Sequence, residues 1–167
     1  MSYHGGLIGA LLAVTWYVRK AKLNFWDVAD LYFTVVPLGY TFGRLGNFMN
    51  GELYGRVTTA PIGMYFPQAA ETALRHPSQL YEAFFEGIFL FVILWRIRKI
   101  QKPRGAMLAF YVIGYGTVRF FIEFFRQPDA HIGFIFLSFS MGQILCALMI
   151  AGGIGLYLYL RQTQQRV

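Results

Sequence analysis

Residues 43–56 read GRLGNFMNGELYGR, and this polar stretch begins where the apolar run at 31–42 ends. Its charged and amide side chains are Arg44, Asn47, Asn50, Glu52 and Arg56. Fixed cations, neutral donors and a pliable, glycine-rich backbone at the edge of an apolar segment are what an anionic lipid headgroup requires. The stretch therefore predicts an anion-binding site at the boundary of a membrane span.

The composition places the chain among membrane proteins. Of its 167 residues, 56% are hydrophobic and 14% are charged, against about 25% charged in a typical soluble domain. The mean hydropathy is +0.45, and long apolar runs recur throughout, so we predict an all-α, polytopic integral membrane helical bundle that forms a single transmembrane domain over 1–167. We expect no nucleic acid partner, because the basic residues behind the net charge of +7 stand in short clusters beside apolar runs.

Five apolar segments are candidate membrane spans: 5–18, 28–42, 80–95, 105–125 and 132–160. A span needs about 20 residues, within a range near 17–25. The fourth segment has that length and the fifth exceeds it, whereas the first three are shorter. Short spans interrupted by proline or glycine, as the second is by Pro37 and Gly39, often line a cavity rather than face lipid.

The lysines and arginines indicate the orientation of these spans. If the five spans alternate, ten basic residues lie on one side: Arg19, Lys20, Lys22, Arg96, Arg98, Lys99, Lys102, Arg104, Arg161 and Arg166. The positive-inside rule assigns that side to the cytoplasm, which puts the N-terminus outside and the C-terminus in the cytoplasm. His4, the 43–56 stretch, residues 76–82 and the region from 119 to 131 then all fall at the outer face or in the outer half of the bilayer.

Two charged residues stand inside the fourth span, within GYGTVRFFIEFFRQPD. Arg119 and Glu123 are four residues apart and share one helix face, and charges within a membrane are functional candidates by default. One interpretation is a structural ion pair that orients helices; the other is that Arg119 and Arg44 clamp a phosphate. Tyr115 lies one turn before Arg119 on the same face. Arg126, where the helix is expected to end, can anchor the helix or bind a ligand.

Other polar residues allow more than one interpretation. We interpret Glu86 as a carboxylate near a helix start, where it favours the helix dipole, whereas Glu82 suits the site as well as the helix start. For Asp30, near the inner side of the second span, a helix-start or packing role and a catalytic role are both open. His4 can be a general base near neutral pH or an interfacial residue without a role.

Metal and nucleotide chemistry are not indicated by the sequence. His4, His76 and His131 lack metal-ligand spacing, and neither a Gly-x-Ser-x-Gly elbow nor a Walker loop occurs. We therefore expect no metal and no cofactor. The lone cysteine, Cys146, lies in an apolar run and is assigned no role.

Four segments resemble the prolipoprotein diacylglyceryl transferases: HGG from His4, GRLGNFMNGELYGR at 43–56, HPSQLYE at 76–82 and GYGTVRFFIEFFRQPDA at 114–130. Their order and spacing match that family, and the resemblance covers essentially the whole chain. It implies a multi-pass enzyme of the bacterial inner membrane with its active site toward the outer leaflet. That enzyme transfers the diacylglyceryl group of phosphatidylglycerol to the lipobox cysteine thiol of a prolipoprotein signal peptide, which forms a thioether and releases glycerol phosphate.

The resemblance also implies roles for single residues. Arg44 and Arg119 would hold the phosphate, and His4 would activate the thiol; Asp30 also coincides with a family position. The candidate catalytic residues are His4, Arg44, Glu52 and Arg119. The candidate substrate-binding residues are Arg44, Asn47, Asn50, Gly55, Glu82, Tyr115, Glu123 and Arg126. The chemistry agrees, because displacing a phosphate from carbon requires its growing charge to be neutralised and the thiolate is the nucleophile.

Members of that family are longer, with further spans before the HGG motif, so the chain is expected to be the C-terminal portion of a longer membrane enzyme. Two other classes are kept as alternatives: a lipid or anion transporter that uses Arg44 and Arg119, and a non-catalytic lipid-binding subunit. Transporters usually place their site near the midplane between two repeats. Here the polar residues gather at one face, and no repeat is visible.

Overall fold

The computed structural model describes residues 3–69, 71–126, 134–136 and 139–164, and most of them are helical. The helical elements are α1 (Tyr3–Lys20), α2 (Phe25–Met49), α3 (Ser78–Tyr81), a π-helical segment (Glu82–Phe89), α4 (Leu90–Ile97), α5 (Ala106–Ile122) and α6 (Met141–Gln164). Two short antiparallel strands, β1 (Phe134–Phe136) and β2 (Phe139–Ser140), precede α6. Because α3, the π-helical segment and α4 follow one another without a gap, the described chain has five helical rods, which confirms the predicted helical class.

The second rod is longer than its apolar run predicts. α2 ends in a Schellman motif, in which the amide of Gly51 donates to the carbonyl of Phe48 and the amide of Glu52 donates to the carbonyl of Asn47, each at 3.0 Å. Gly51 has a φ of 69°, the left-handed conformation that favours glycine. The first half of the 43–56 stretch is therefore helical rather than pliable, and its arginine projects from a rigid element.

The fifth rod begins later than predicted. α6 starts at Met141 rather than at residue 132, and the aromatic residues before it form the two strands, in which Phe134 pairs with Ser140 and Phe136 with Phe139. Aromatic residues favour strands, and the prediction of a helix over these positions was wrong. His131, which the sequence placed at the outer face, lies outside the described residues.

Contacts between helix ends show that α2 and α5 run in the same direction and that α6 runs opposite to them. Arg104, just before α5, forms an ion pair with Asp27 near the start of α2, with 3.5 Å between Nε and Oδ1. The amide of Arg104 also donates to the side chain of Gln164, the last residue of α6, at 2.8 Å. The starts of α2 and α5 and the end of α6 therefore meet at one end of the bundle. The opposite ends of these helices lie together at the site described below.

The first turn of α5 is capped from α2. The Asp30 carboxylate accepts hydrogen bonds from the amides of Gly105 and Met107, each at 2.8 Å, and so satisfies donors that the start of a helix leaves without partners. Gly105 has a φ of 86°, and a Cβ atom there would approach the ring of Trp26 to 2.4 Å. Asp30 therefore does not serve the start of its own helix, where Asn24 is the cap; its contacts match the packing role, because they join α2 to α5.

Large apolar side chains are exposed on the outside of the bundle, while two glutamates are fully buried inside it. Leu12 and Leu31 are 66% and 73% exposed, whereas Glu82 and Glu86 are 0% exposed. This distribution is the reverse of that in soluble proteins. Among the described residues, one helix, Met141–Gln164, is long and apolar enough to cross a membrane, and Ala106–Ile122 is a shorter apolar helix.

We predict that Asp30→Ala lowers the free energy of unfolding by about 2 kcal/mol, because two amides at the start of α5 lose a charged acceptor. Denaturant unfolding in detergent, followed by tryptophan fluorescence, measures this loss. Asp27→Ala is the matched control, since Asp27 lies about one turn earlier in an exposed ion pair, whose loss costs less than about 1 kcal/mol. Equal losses in the two variants would contradict the capping role.

Candidate anion-binding site

The polar residues singled out in the sequence converge on one buried carboxylate, that of Glu82. Arg44 Nε from α2 and Arg119 Nη1 from α5 lie 3.0 and 3.1 Å from the same oxygen, Glu82 Oε2. The hydroxyl of Tyr40 donates to that oxygen at 3.2 Å, and Arg126 Nη1 lies 3.5 Å from the other, Oε1. Glu82 is therefore the common partner of groups from both helices and from the segment that follows α5.

Two further carboxylates surround Arg119. Glu86 Oε1 lies 3.4 Å from Arg119 Nη1, and Glu123 Oε2 lies 3.8 Å from Arg119 Nε and 3.9 Å from Arg126 Nε. The helix-start interpretation of Glu86 was wrong, because its side chain is fully buried and paired in the middle of a rod. The whole cluster holds three arginines and three glutamates, so its formal charges balance, as buried charges require.

The π-helical segment that carries Glu82 and Glu86 packs tightly against α2. The hydroxyl of Thr41 donates to the carbonyl of Ala83 at 3.3 Å, and a Cβ atom at Gly87 would fall 2.0 Å from Thr41 Oγ1. Segments of π-helix are rare and frequently occur at functional sites. This close approach fixes where both carboxylates lie relative to α2, and the sequence pattern contained no signal for it.

Two tyrosines lie beside the cluster. Tyr40 packs edge to face against Tyr115, with 5.8 Å between ring centroids, and the guanidinium of Arg44 lies 4.7 Å from the centroid of the Tyr40 ring. Tyr115 is one of the candidate substrate-binding residues, and the structure places it next to the cluster. Tyr40 was not identified from the sequence. Tyr40 and Arg44 have the same i, i+4 spacing as Arg119 and Glu123, so the same argument predicts that they share one helix face.

Hydrogen bonds connect the cluster to the loop that follows α2. Arg44 Nη1 donates to Asn47 Oδ1 at 3.4 Å, and Asn47 Nδ2 donates to Glu52 Oε1 at 2.8 Å. Asn50 Nδ2 donates to the same glutamate oxygen at 3.4 Å, and Gln79 Nε2 donates to the backbone carbonyl of Glu52 at 2.6 Å. Glu52 thus lies at the edge of the cluster, where amides rather than arginines hold its carboxylate.

Gly55 lies where three backbone segments meet. Its amide donates to the carbonyl of His76 at 2.8 Å, and the amide of Arg56 donates to the carbonyl of Phe125 at 3.0 Å. A Cβ atom at Gly55 would fall 2.5 Å from the carbonyl oxygen of Phe125 and 2.9 Å from that of His76. This close approach requires glycine, and it holds the loop after α2 alongside Arg126.

The structure describes the side chain of one of the two histidines nearest the site segments, His76, and not that of His4. His4 lies in the first turn of α1, and its side chain is outside the described residues, so its role as a base stays a prediction. His76 Nδ1 lies 3.1 Å from the hydroxyl of Tyr81, and its ring packs against Phe125. In the described part of the chain, His, Cys, Asp and Glu side chains form no group that could hold a metal ion.

The two arginines on Glu82 Oε2 have the geometry to bind an anion. Their side chains are 18% exposed for Arg44 and 16% exposed for Arg119, whereas Glu82 between them is 0% exposed. Guanidinium groups carry five donors each in a planar arrangement that suits phosphate oxygens. Both guanidinium groups are already paired with Glu82, so an anion would have to compete with that carboxylate to bind them.

The fold and the site together define a class of protein: a helical bundle with an apolar surface and a buried arginine–glutamate cluster. The sequence model of the prolipoprotein diacylglyceryl transferase family matches residues 1–159, and the chain belongs to that family.

Similar proteins include three named phosphatidylglycerol–prolipoprotein diacylglyceryl transferase. The one from Chlorobaculum tepidum is 65% identical over 99% of this chain and 57% of its own length. That from Treponema denticola is 47% identical over 98% of this chain and 62% of its own length. That from Campylobacter lari is 48% identical over 100% of this chain and 60% of its own length. The chain thus spans about three fifths of the length of these curated relatives.

We predict that Gly87→Ala lowers the free energy of unfolding by roughly 1–3 kcal/mol, because the added Cβ overlaps Thr41 and forces the π-helical segment away from α2. Thermal unfolding in detergent measures the loss. Gly155→Ala is the matched control: Gly155 is helical, and a Cβ atom there meets nothing within 4 Å. That substitution should leave stability unchanged or raise it by up to about 1 kcal/mol. A Gly87 variant as stable as the control would contradict the close packing.

Proposed function

We propose that this chain carries the phosphate site of an enzyme that transfers the diacylglyceryl group of phosphatidylglycerol to the lipobox cysteine thiol of a prolipoprotein. One observation carries the proposal: Arg44 and Arg119, from two helices far apart in sequence, lie within 3.1 Å of a single oxygen of Glu82. Phosphatidylglycerol and prolipoprotein are the substrates that the names of the relatives contain.

The proposed reaction is a displacement at carbon. The cysteine thiolate attacks the glyceryl carbon that bears the phosphate, so a C–S bond forms while the C–O bond breaks, and the electron pair of that bond leaves on the phosphate oxygen of glycerol phosphate. Arg44 and Arg119 stabilise the charge that grows on this leaving group. The proton of the thiol passes to a base, for which His4 is the candidate.

The polar groups around the two arginines are assigned to the lipid headgroup. Glu52, with Asn47 and Asn50 hydrogen-bonded to its carboxylate, is proposed to bind the hydroxyl groups of the headgroup glycerol. Carboxylates and amides are suitable partners for hydroxyls, because they accept or donate hydrogen bonds at short range. Gly55, Tyr115, Glu123 and Arg126 complete the proposed lining of the site.

We propose further that the chain is a single multi-pass transmembrane domain of the bacterial inner membrane. The exposed apolar side chains on α1, α2 and α6 support a lipid environment. The cluster lies at the end of the bundle opposite Arg104 and Gln164. The clustered lysines and arginines of the sequence favour a cytoplasmic location for the end that holds Arg104 and Gln164. The site then faces the outer leaflet, and the C-terminus is cytoplasmic.

We predict that Arg119→Lys lowers the rate of transfer about 100-fold or more, because lysine keeps the charge but loses the planar set of donors. The measurement is the mass of a lipobox peptide after incubation with phosphatidylglycerol. Since the chain spans about three fifths of its relatives, the assay uses the chain alone and the chain preceded by the N-terminal part of the Chlorobaculum tepidum relative.

Arg104→Lys is the control for this prediction, because Arg104 forms an exposed ion pair at the other end of the bundle. Normal turnover by the Arg119 variant would count against the phosphate role of this arginine. If neither form of the chain makes product but phosphatidylglycerol still binds, the chain is a lipid-binding protein and the transfer proposal is overturned.

We also predict that Glu82→Gln binds glycerol phosphate roughly tenfold more tightly, because glutamine keeps the shape of the side chain but removes the anion that competes for the arginines. Isothermal titration in nanodiscs of neutral lipid measures the affinity. Glu71→Gln, in the exposed loop after α2, serves as the control and should leave the affinity unchanged. A folded Glu82 variant with unchanged or weaker affinity would show that no competition occurs.

A further inference from the structure

Glu123 connects the arginine–glutamate cluster to the start of α6. The hydroxyl of Ser140 donates to Glu123 Oε1 at 3.2 Å. Ser140 and Gln143 also form a reciprocal capping box: the amide of Gln143 donates to Ser140 Oγ at 3.2 Å, and the amide of Ser140 donates to Gln143 Oε1 at 3.0 Å. Ser140 and Gln143 are each 4% exposed, so this start of α6 is buried against the cluster.

A glycine makes room for the carboxylate over the first turn of α6. A Cβ atom at Gly142 would fall 2.7 Å from Oε1 and 2.9 Å from Cδ of Glu123. Gly142 is not among the residues with a left-handed backbone, so space rather than conformation requires the glycine. The start of a helix also favours a negative charge, because its amides and dipole present partial positive charge.

The two oxygens of Glu123 have different partners. Oε1 accepts from Ser140 at the start of α6, while Oε2 faces Arg119 Nε at 3.8 Å and Arg126 Nε at 3.9 Å. These ion pairs are longer than those on Glu82, and a pair at i, i+4 on a helix is weak by itself. The contacts with α6 are therefore what selects the conformation in which Glu123 faces both arginines.

We propose that Ser140 and Gly142 are positioning residues of the phosphate site: they hold Glu123 at the start of α6, so that Glu123 orients Arg119 and Arg126 toward the bound phosphate. This inference rests on the proposed function and adds two residues to the site: Ser140, which caps α6, and Gly142 in its first turn. The side chain of Gln143 is hydrogen-bonded to Ser140 within the capping box, whereas that of Ser140 is hydrogen-bonded to Glu123. This difference separates a positioning role from helix capping.

Four substitutions test the proposal. Ser140→Ala breaks the capping box and the bond to Glu123, whereas Gln143→Ala breaks only the box. Gly142→Ala keeps the box but displaces the Glu123 carboxylate, and Ser140→Thr keeps the hydroxyl. Titration of each purified protein with glycerol phosphate in nanodiscs of neutral lipid gives the dissociation constant, and thermal unfolding gives the stability.

The expected result is a dissociation constant raised about tenfold in Ser140→Ala and Gly142→Ala, and within about twofold of the unchanged chain in Gln143→Ala and Ser140→Thr. Both Ser140→Ala and Gln143→Ala should lose stability, since each removes one hydrogen bond of the box. Ser140→Ala should lose more, because it also removes the bond to Glu123. The proposal is overturned if Gln143→Ala weakens binding as much as Ser140→Ala does, or if Ser140→Ala and Gly142→Ala bind normally. Should Ser140→Ala fail to fold, Gly142→Ala decides, because it leaves the capping box intact.

Arg119→Lys belongs in the same titration, because it separates two kinds of failure. If Arg119→Lys weakens binding while the Ser140 and Gly142 variants do not, the positioning role is wrong and the phosphate site stands. If Arg119→Lys also binds glycerol phosphate normally, the phosphate site itself is wrong. In the chain that forms product, the positioning variants should raise KM for phosphatidylglycerol more than they lower kcat, which a general loss of stability would not do.

Discussion

The ion pairs on Glu82 are the interaction on which the rest of this structure depends. A carboxylate with no exposed surface is costly unless cations and hydrogen bonds surround it. α2 supplies Arg44 at 3.0 Å, and α5 supplies Arg119 at 3.1 Å. Because both arginines contact one oxygen atom, these ion pairs join α2, α5 and the rod that carries Glu82 at a single point. The same contacts that hold the helices together therefore assemble the candidate site.

The fold was largely predictable from apolar runs. The predicted helix boundaries were wrong where polar residues continue or begin a helix. α2 continues beyond its apolar run, and the Asn-Gly pair that ends it, with Gly51 at a φ of 69°, was a readable stop signal. Ser140 and Gln143 fit the capping-box pattern three residues apart, and that pattern would have placed the start of α6 correctly. The π-helical segment was not predictable, because it depends on the close approach of Gly87 to Thr41, which involves two distant parts of the chain.

The site was predictable where spacing along one helix was enough. Arg119 and Glu123 were paired by their i, i+4 spacing, and they lie 3.8 Å apart. Glu86 was misinterpreted, because the preference of helix starts for carboxylates is local, whereas its burial beside Arg119 comes from packing between helices. The position of Glu82 between two arginines has the same origin. Sequence reasoning thus identified Glu82 and most other members of the cluster as candidates, but not the central position of Glu82 between the arginines.

For the proposed multi-pass arrangement, the cap on α5 has a consequence for how the chain assembles in a bilayer. The acceptor for the amides of Gly105 and Met107 is Asp30, which lies more than seventy residues earlier in the chain. Until α2 is in place, those amides need water, because an unsatisfied backbone group in hydrocarbon costs several kcal/mol. Synthesis delivers α2 before α5, so the order of the chain supplies the acceptor before the donors arrive. The start of α5 can then leave the interfacial water as soon as it meets its partner helix.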